Sequence, residues 1–204
     1  MNETTMMMGR VLRASTTGFT IGCQQSMATQ AQSTPPFGSL VRAGNPDGTQ
    51  TYGLVGDIVV EDDPFVRQLV AAGVEDEEYI ADQRQRRQVP VAVSVLTVGG
   101  RRGLSVSYWL PPQPPGTLDR IFACTAAEIV RFTERHDWLR TVLAASMLPA
   151  DALLVAALRG AAAARPPDQR ESYLVSAGRE LAKLLALDLT RLEGILGQLK
   201  DRRT

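Results

Sequence analysis

Val89-Pro90-Val91-Ala92-Val93-Ser94-Val95-Leu96-Thr97-Val98 decides the fold, together with the turn Gly99-Gly100-Arg101-Arg102-Gly103 and the run Leu104-Ser105-Val106-Ser107-Tyr108-Trp109-Leu110 behind it. Side chains alternate faces along a strand, so Val89, Val91, Val93 and Val95 share one side while Ala92, Leu96 and Val98 keep the other largely apolar. A strand apolar on both faces must be covered on both. The glycines of the turn permit positive φ, and Leu104, Val106, Tyr108 and Leu110 alternate with Ser105, Ser107 and Trp109, so the two runs read as a hairpin. Next comes Pro111-Pro112-Gln113-Pro114-Pro115. Prolines cannot donate to a ladder and favour an extended backbone, so this segment is expected to end the sheet and hold the rest of the chain at a distance from it.

Working back toward the start, the pattern stays that of strands. Met7 to Ala14 and Gly18 to Gln24 form a hairpin through Ser15-Thr16-Thr17, with Phe19, Ile21 and Cys23 pointing inward. Gln25 to Pro36 is polar and reads as an exposed loop. Phe37 to Ala43 is extended, Asn45-Pro46-Asp47-Gly48 is a turn, and Gln50 to Val60 is a strand with Tyr52, Leu54, Ile58 and Val60 on one face. Gly53 and Gly56 inside it suggest a bulge or a sharp bend, the device by which small barrels turn corners. A helix comes after it, capped by Asp62 or Asp63, with Pro64 at its first position and Gly73 at its end. A second helix runs from Glu75 to Arg87, its acids at the positive end of the helix dipole and Arg84, Arg86 and Arg87 at the negative end.

Beyond the prolines, Ala and Leu dominate. Leu118 to Arg135 has a helical pattern broken at His136-Asp137, Trp138 to Ser146 continues it, and Pro149 to Ala164 is a further helix stopped by Pro166-Pro167. Leu174, Ala177, Leu181, Leu184 and Leu185, then Leu189, Leu192, Leu196 and Leu199, recur at helical spacing, with a capping box at Thr190 and Glu193 and a break near Asp188. The expected class is α+β: a six-stranded antiparallel β-barrel over residues 1–110 with a helical insertion at 62–87, a proline-rich linker at 111–116, and an α-helical bundle over 117–204. Closing the strands into a barrel removes the exposed edges.

The chain has 204 residues, 44% hydrophobic and 22% charged, with a formal net charge of zero. That is enough for a sizeable core and offers no overall attraction to nucleic acid or anionic membrane. A P-loop needs a lysine between glycine and Ser or Thr, and neither Lys183 nor Lys200 sits in that context. Cys23 and Cys124 are too few for a disulfide framework or a cysteine-rich zinc site. His136 is the only histidine, and Asp137 beside it in sequence does not place a carboxylate on its ring. The acids between Asp57 and Asp82 are accounted for by helix starts. No catalytic, metal or cofactor-binding residue is assigned, and the chain is not expected to be an enzyme. No run of eighteen apolar residues exists to span a membrane, and a cytoplasmic location is expected.

Gly9-Arg10-Val11, Phe37-Gly38-Ser39-Leu40-Val41, Tyr52-Gly53-Leu54-Val55-Gly56-Asp57-Ile58 and the long strand Val89 to Val98 occur in an order that resembles the HAS-barrel, the small barrel that heads HerA-like ATPases and the ATP synthase head subunits. The resemblance implies a non-catalytic barrel whose neighbours pack into a ring over a motor and receive partner proteins. Family members continue into a RecA-like ATPase core, whereas this chain continues into helices. The expectation is an interaction or assembly module, with a HerA-like ATPase as partner and a homo-oligomer as its state. Tyr79, Arg86, Arg87 and Trp109 are the candidate contact residues, being large side chains at polar positions. A second reading is a nucleic-acid-binding barrel using Arg84 to Arg87 with Arg101 and Arg102. A third is a metal-dependent hydrolase using Asp57 and Glu78.

Overall fold

A computed structural model describes residues 6–26, 34–45, 47–60, 64–73, 76–79 and 88–200. The strands are β1 (Met7–Ala14), β2 (Gly18–Ser26), β3 (Leu40–Gly44), β4 (Gln50–Val60), β5 (Gln88–Arg102), β6 (Ser105–Ser107) and β7 (Arg120–Ala123). The helices are α1 (Pro64–Ala71), α2 (Ala126–Phe132), α3 (Trp138–Leu143), α4 (Ala150–Ala163), α5 (Pro167–Leu184) and α6 (Leu189–Lys200). A helical turn at 77–79 also stands in the segment read as a second helix, with Asp76 Oδ1 accepting from the backbone N–H groups of Glu78 and Tyr79. The rest of that segment, including Arg84 to Arg87, lies outside the described residues, as do Asp62 and Asp63.

The barrel closes as a ring of six antiparallel strands: β1 pairs β2, β2 pairs β5, β5 pairs β4, β4 pairs β3, β3 pairs β7, and β7 returns to β1. The class is as expected, but the sixth strand is a different one. Leu104 to Leu110 supplies only the three-residue β6, which extends the β5 hairpin outside the ring. The ring is completed by β7, beyond the prolines, where a helix was expected from Leu118. Pro111 to Pro115 cannot join a ladder, yet it does not end the sheet: the chain carries past them and re-enters. Leu118 N donates to Val11 O at 2.8 Å and Val11 N to Asp119 O at 3.0 Å, which seats β7 against β1. β7 puts one wholly buried residue inside, Ile121, too little for a strand period to register.

Both faces of β5 are covered, by different partners. Val91, Val93 and Val95 point into the barrel with Val11, Ile21, Val41, Val55 and Ile121. On the outside, Leu96 and Val98 join Leu40, Tyr52 and Leu54 under Phe132, Trp138, Leu139, Leu153, Leu154 and Leu158. The helices are therefore a layer packed on the wall of the barrel across β3, β4 and β5. Of the two glycines expected to mark a bulge or bend, Gly56 is the extra residue of β4, unpaired between Val55 and Asp57, whereas Gly53 is paired and the register shift beside it leaves Val98 of β5 as the extra residue. An extra residue moves every later side chain to the other face. Tyr52 and Leu54 accordingly face the helices while Ile58 packs into the barrel interior, and the single face expected for them is split.

α4 is apolar nearly all round, with Leu153, Leu154, Val155, Ala157, Leu158, Ala161 and Ala162 buried, because it lies between the barrel and α5 and α6. α2 starts at the capping box Thr125–Glu128, in which Thr125 Oγ1 accepts from Glu128 N and Glu128 Oε2 from Thr125 N. Glu128 Oε1 also pairs with Arg42 Nε on β3 at 2.9 Å. The break before α6 is at Asp188 as expected, but Asp188 itself is the cap, its carboxylate accepting from Arg191 N at 3.1 Å. Arg191 in turn pairs with Asp151 on α4 at 2.7 Å.

Candidate interaction surface

The hairpin of β5 and β6 stands beyond the ring; Val106 packs back against the helical core, but Leu104 and Trp109 do not join it. Leu104 at its tip is 82% exposed and Trp109 just past β6 is 83% exposed. Trp109 lies past the end of the strand instead of on it, and its backbone N–H reaches Ser107 Oγ at 3.4 Å. Beneath it runs a groove of 540 Å³ walled by Arg101 and Arg102 of β5, Pro111 and Pro114 of the proline segment, and Gln50 and Asp47 around the β3–β4 turn. The turn is held by its own side chains. Asp47 accepts from the Thr49 hydroxyl at 2.6 Å and the Thr49 N–H at 3.0 Å, and these bonds hold its carboxyl below the ordinary range. Arg102 reaches the same carboxylate at 3.5 Å. The Asn45 amide nitrogen donates to Thr49 and Thr51, leaving its Oδ1, like the Oε1 of Gln50, buried without a hydrogen-bond partner.

Of the four expected contact residues, Trp109 lines this groove. Tyr79 is half-exposed in the turn at 76–79 and does not line it, and Arg86 and Arg87 fall outside the described residues. Asn45, Gln50 and the prolines share the groove with Trp109, and Leu104 is exposed at the hairpin tip; sequence reasoning singled out none of them as contact residues. Leu104 carried a signal: an apolar residue next to Gly103 at a hairpin tip has nothing to pack on. The two amides carried none, because only the fold brings the β3–β4 turn beside the β5–β6 hairpin.

His136, Cys23 and Cys124 each sit in packed surroundings. His136 Nε2 lies 3.0 Å from Ser176 Oγ, and its ring is 5.5 Å from that of Tyr173. Burial lowers the His136 pKa from its ordinary value. Asp137 turns away to Arg135 at 2.9 Å, and His136 Nδ1 has no hydrogen-bond partner, so nothing orients the ring as a general base. Ser176 sits mid-way along α5, where backbone N–H groups are used within the helix and offer no oxyanion donors. The pair ties the turn before α3 to α5. Cys23 is inside the barrel with its thiol pushed up to about 11 by burial, and burial raises that of Cys124 as well, which removes the thiolate needed for attack. Asp57 accepts from the Ile58 N–H, and among the described residues no three metal-ligating side chains come together. No helix among the described residues is long and apolar enough to cross a membrane. No model of a known protein family matches the chain, and no curated protein matches it either.

Proposed function

We propose that the chain is a non-catalytic interaction and assembly module, a HAS-type barrel that docks other proteins, including a HerA-like ATPase and further copies of itself, in the cytoplasm. The observation that carries this reading is the exposure of Trp109 and Leu104 on a hairpin that projects from a closed barrel. Tryptophan and arginine are among the residues most enriched in binding hot spots, and the proline segment fixes the backbone behind them at little entropic cost. The barrel itself has every strand of the ring paired, so association through a hairpin leaves its hydrogen bonding intact.

The test is titration of purified HerA-like ATPase into this chain, with light scattering for its own oligomeric state and Trp109→Ala and Leu104→Ser as variants. Association weakened about tenfold or more by Trp109→Ala is the expected result. A monomer whose fluorescence is unchanged by the ATPase refutes the reading. A second reading, binding of single-stranded nucleic acid, is favoured by one observation: Trp109 shares its groove with Arg101 and Arg102, an aromatic platform beside cations. It predicts a gel shift of a labelled oligonucleotide that fades steeply with salt, and no shift at low salt removes it.

A further inference from the structure

A second groove, of 810 Å³, shares Leu110 with the first and lies between the β1–β2 turn, β5, and α3 with the loop behind it. Leu96, Leu110, Met147 and Leu148 give it an apolar lining, and Met147 is 92% exposed. Two arginines stand on its rim, Arg13 from β1 and Arg140 from α3. Arg13 donates to the Thr20 hydroxyl, at 3.1 Å, and neither guanidinium meets a carboxylate among the described residues. Among the described residues, no acidic side chain lines the groove. The wall also includes Thr97, wholly buried, whose hydroxyl has no hydrogen-bond partner. In a chain of zero net charge, an apolar trough with two cations on its rim and no acid beside them is a local departure in sign.

We infer that this groove takes an acidic amphipathic peptide segment of a partner protein, its apolar side chains on Met147 and Leu148 and its carboxylates on Arg13 and Arg140. Guanidinium groups match carboxylates with two parallel hydrogen bonds, and rim charges of one sign select partners of the other. The groove rests on the same interaction reading as Trp109 but fails separately from it.

The probe is a fluorescein-labelled dodecapeptide of alternating leucine and glutamate, monitored by anisotropy, with the leucine–lysine peptide, a single-stranded oligonucleotide and phosphatidylglycerol vesicles as competitors. Saturable binding is expected, weakened about tenfold by Arg13→Glu with Arg140→Glu and again by Met147→Glu, with none of the competitors displacing it. All three positions are exposed, so the variants keep the fold, which circular dichroism checks. Absence of saturable binding, equal affinity in the double variant, or displacement by any competitor overturns the assignment. An ATPase complex that depends on Trp109 but survives the double charge reversal would leave the Trp109 surface standing and this groove refuted.

Discussion

Phe132 is the residue on which the union of barrel and helices is best tested. It is 1% exposed at the end of α2, its ring 5.0 Å from that of Tyr52 on β4 and 5.3 Å from that of Tyr108, whose hydroxyl donates to the Phe132 carbonyl at 2.8 Å. Phe132→Ala removes a buried ring from between two others, and the site cannot collapse freely because one wall is a closed barrel. Truncations of this kind cost about 3–5 kcal/mol, and the loss of two tilted aromatic contacts places this one near the upper end. At roughly 2–4 °C per kcal/mol for a chain of this size, the melting temperature should fall by about 10 °C or more. Urea unfolding monitored by tryptophan fluorescence and by far-ultraviolet circular dichroism is the assay. A single coincident transition is expected in the parent chain, because Trp138 and the barrel wall share one core. A loss under about 1.5 kcal/mol, or two separate transitions in the parent, would show that the helices do not depend on the barrel through this contact.

Three further outcomes rest on particular contacts. Leu118 is the one non-glycine residue with positive φ among the described residues, at 69°, and is 62% exposed, so Leu118→Gly should relieve about 1 kcal/mol of strain and raise the melting temperature by a few degrees; no rise would show that the backbone there is unstrained. Glu128→Ala removes both the capping box of α2 and the partner of Arg42, whose side chain is 15% exposed, and should cost about 2–4 kcal/mol in chemical denaturation, more than Glu128→Gln; equal losses in the two variants would remove the charge from the account. His136 has a folded pKa below its unfolded value, so the unfolded chain binds the extra proton; its contribution is full above about pH 6.5 and is lost as pH falls through the folded value. The stability advantage of the parent over His136→Gln should therefore shrink on acidification, and a pH-independent difference would refute this.

The legible part of the fold was the part written in repetition. Val91, Val93 and Val95 alternate over enough residues to declare a strand, and the apolar character of Leu96 and Val98 on its other face announced a second covering layer, which the helices supply. Gly56 announced the bulge of β4, while the one at Val98 of β5 carried no such mark. What a bulge does to the residues after it was not legible, because the shift of Ile58 to the interior depends on whether one residue is left unpaired against β5. β7 was hidden for a related reason: with Ile121 alone facing inward, its identity comes from β1 and β3 on either side and not from its own sequence. Thr190 and Glu193 have the spacing of a capping box, yet Asp188, two residues earlier, takes the N–H. At the surface, Trp109 stood out as a large aromatic among serines, while Asn45 and Gln50 became its neighbours only through pairing between distant segments.

The strand that completes the ring is the last one synthesised, and it fits between the first and the third. Until residue 123 has emerged, the edges of β1 and β3 that β7 covers are bare. During translation the amino-terminal half is thus an open sheet held waiting for a distant latch, and a nascent chain stalled within the proline segment would be exposed to edge-to-edge aggregation.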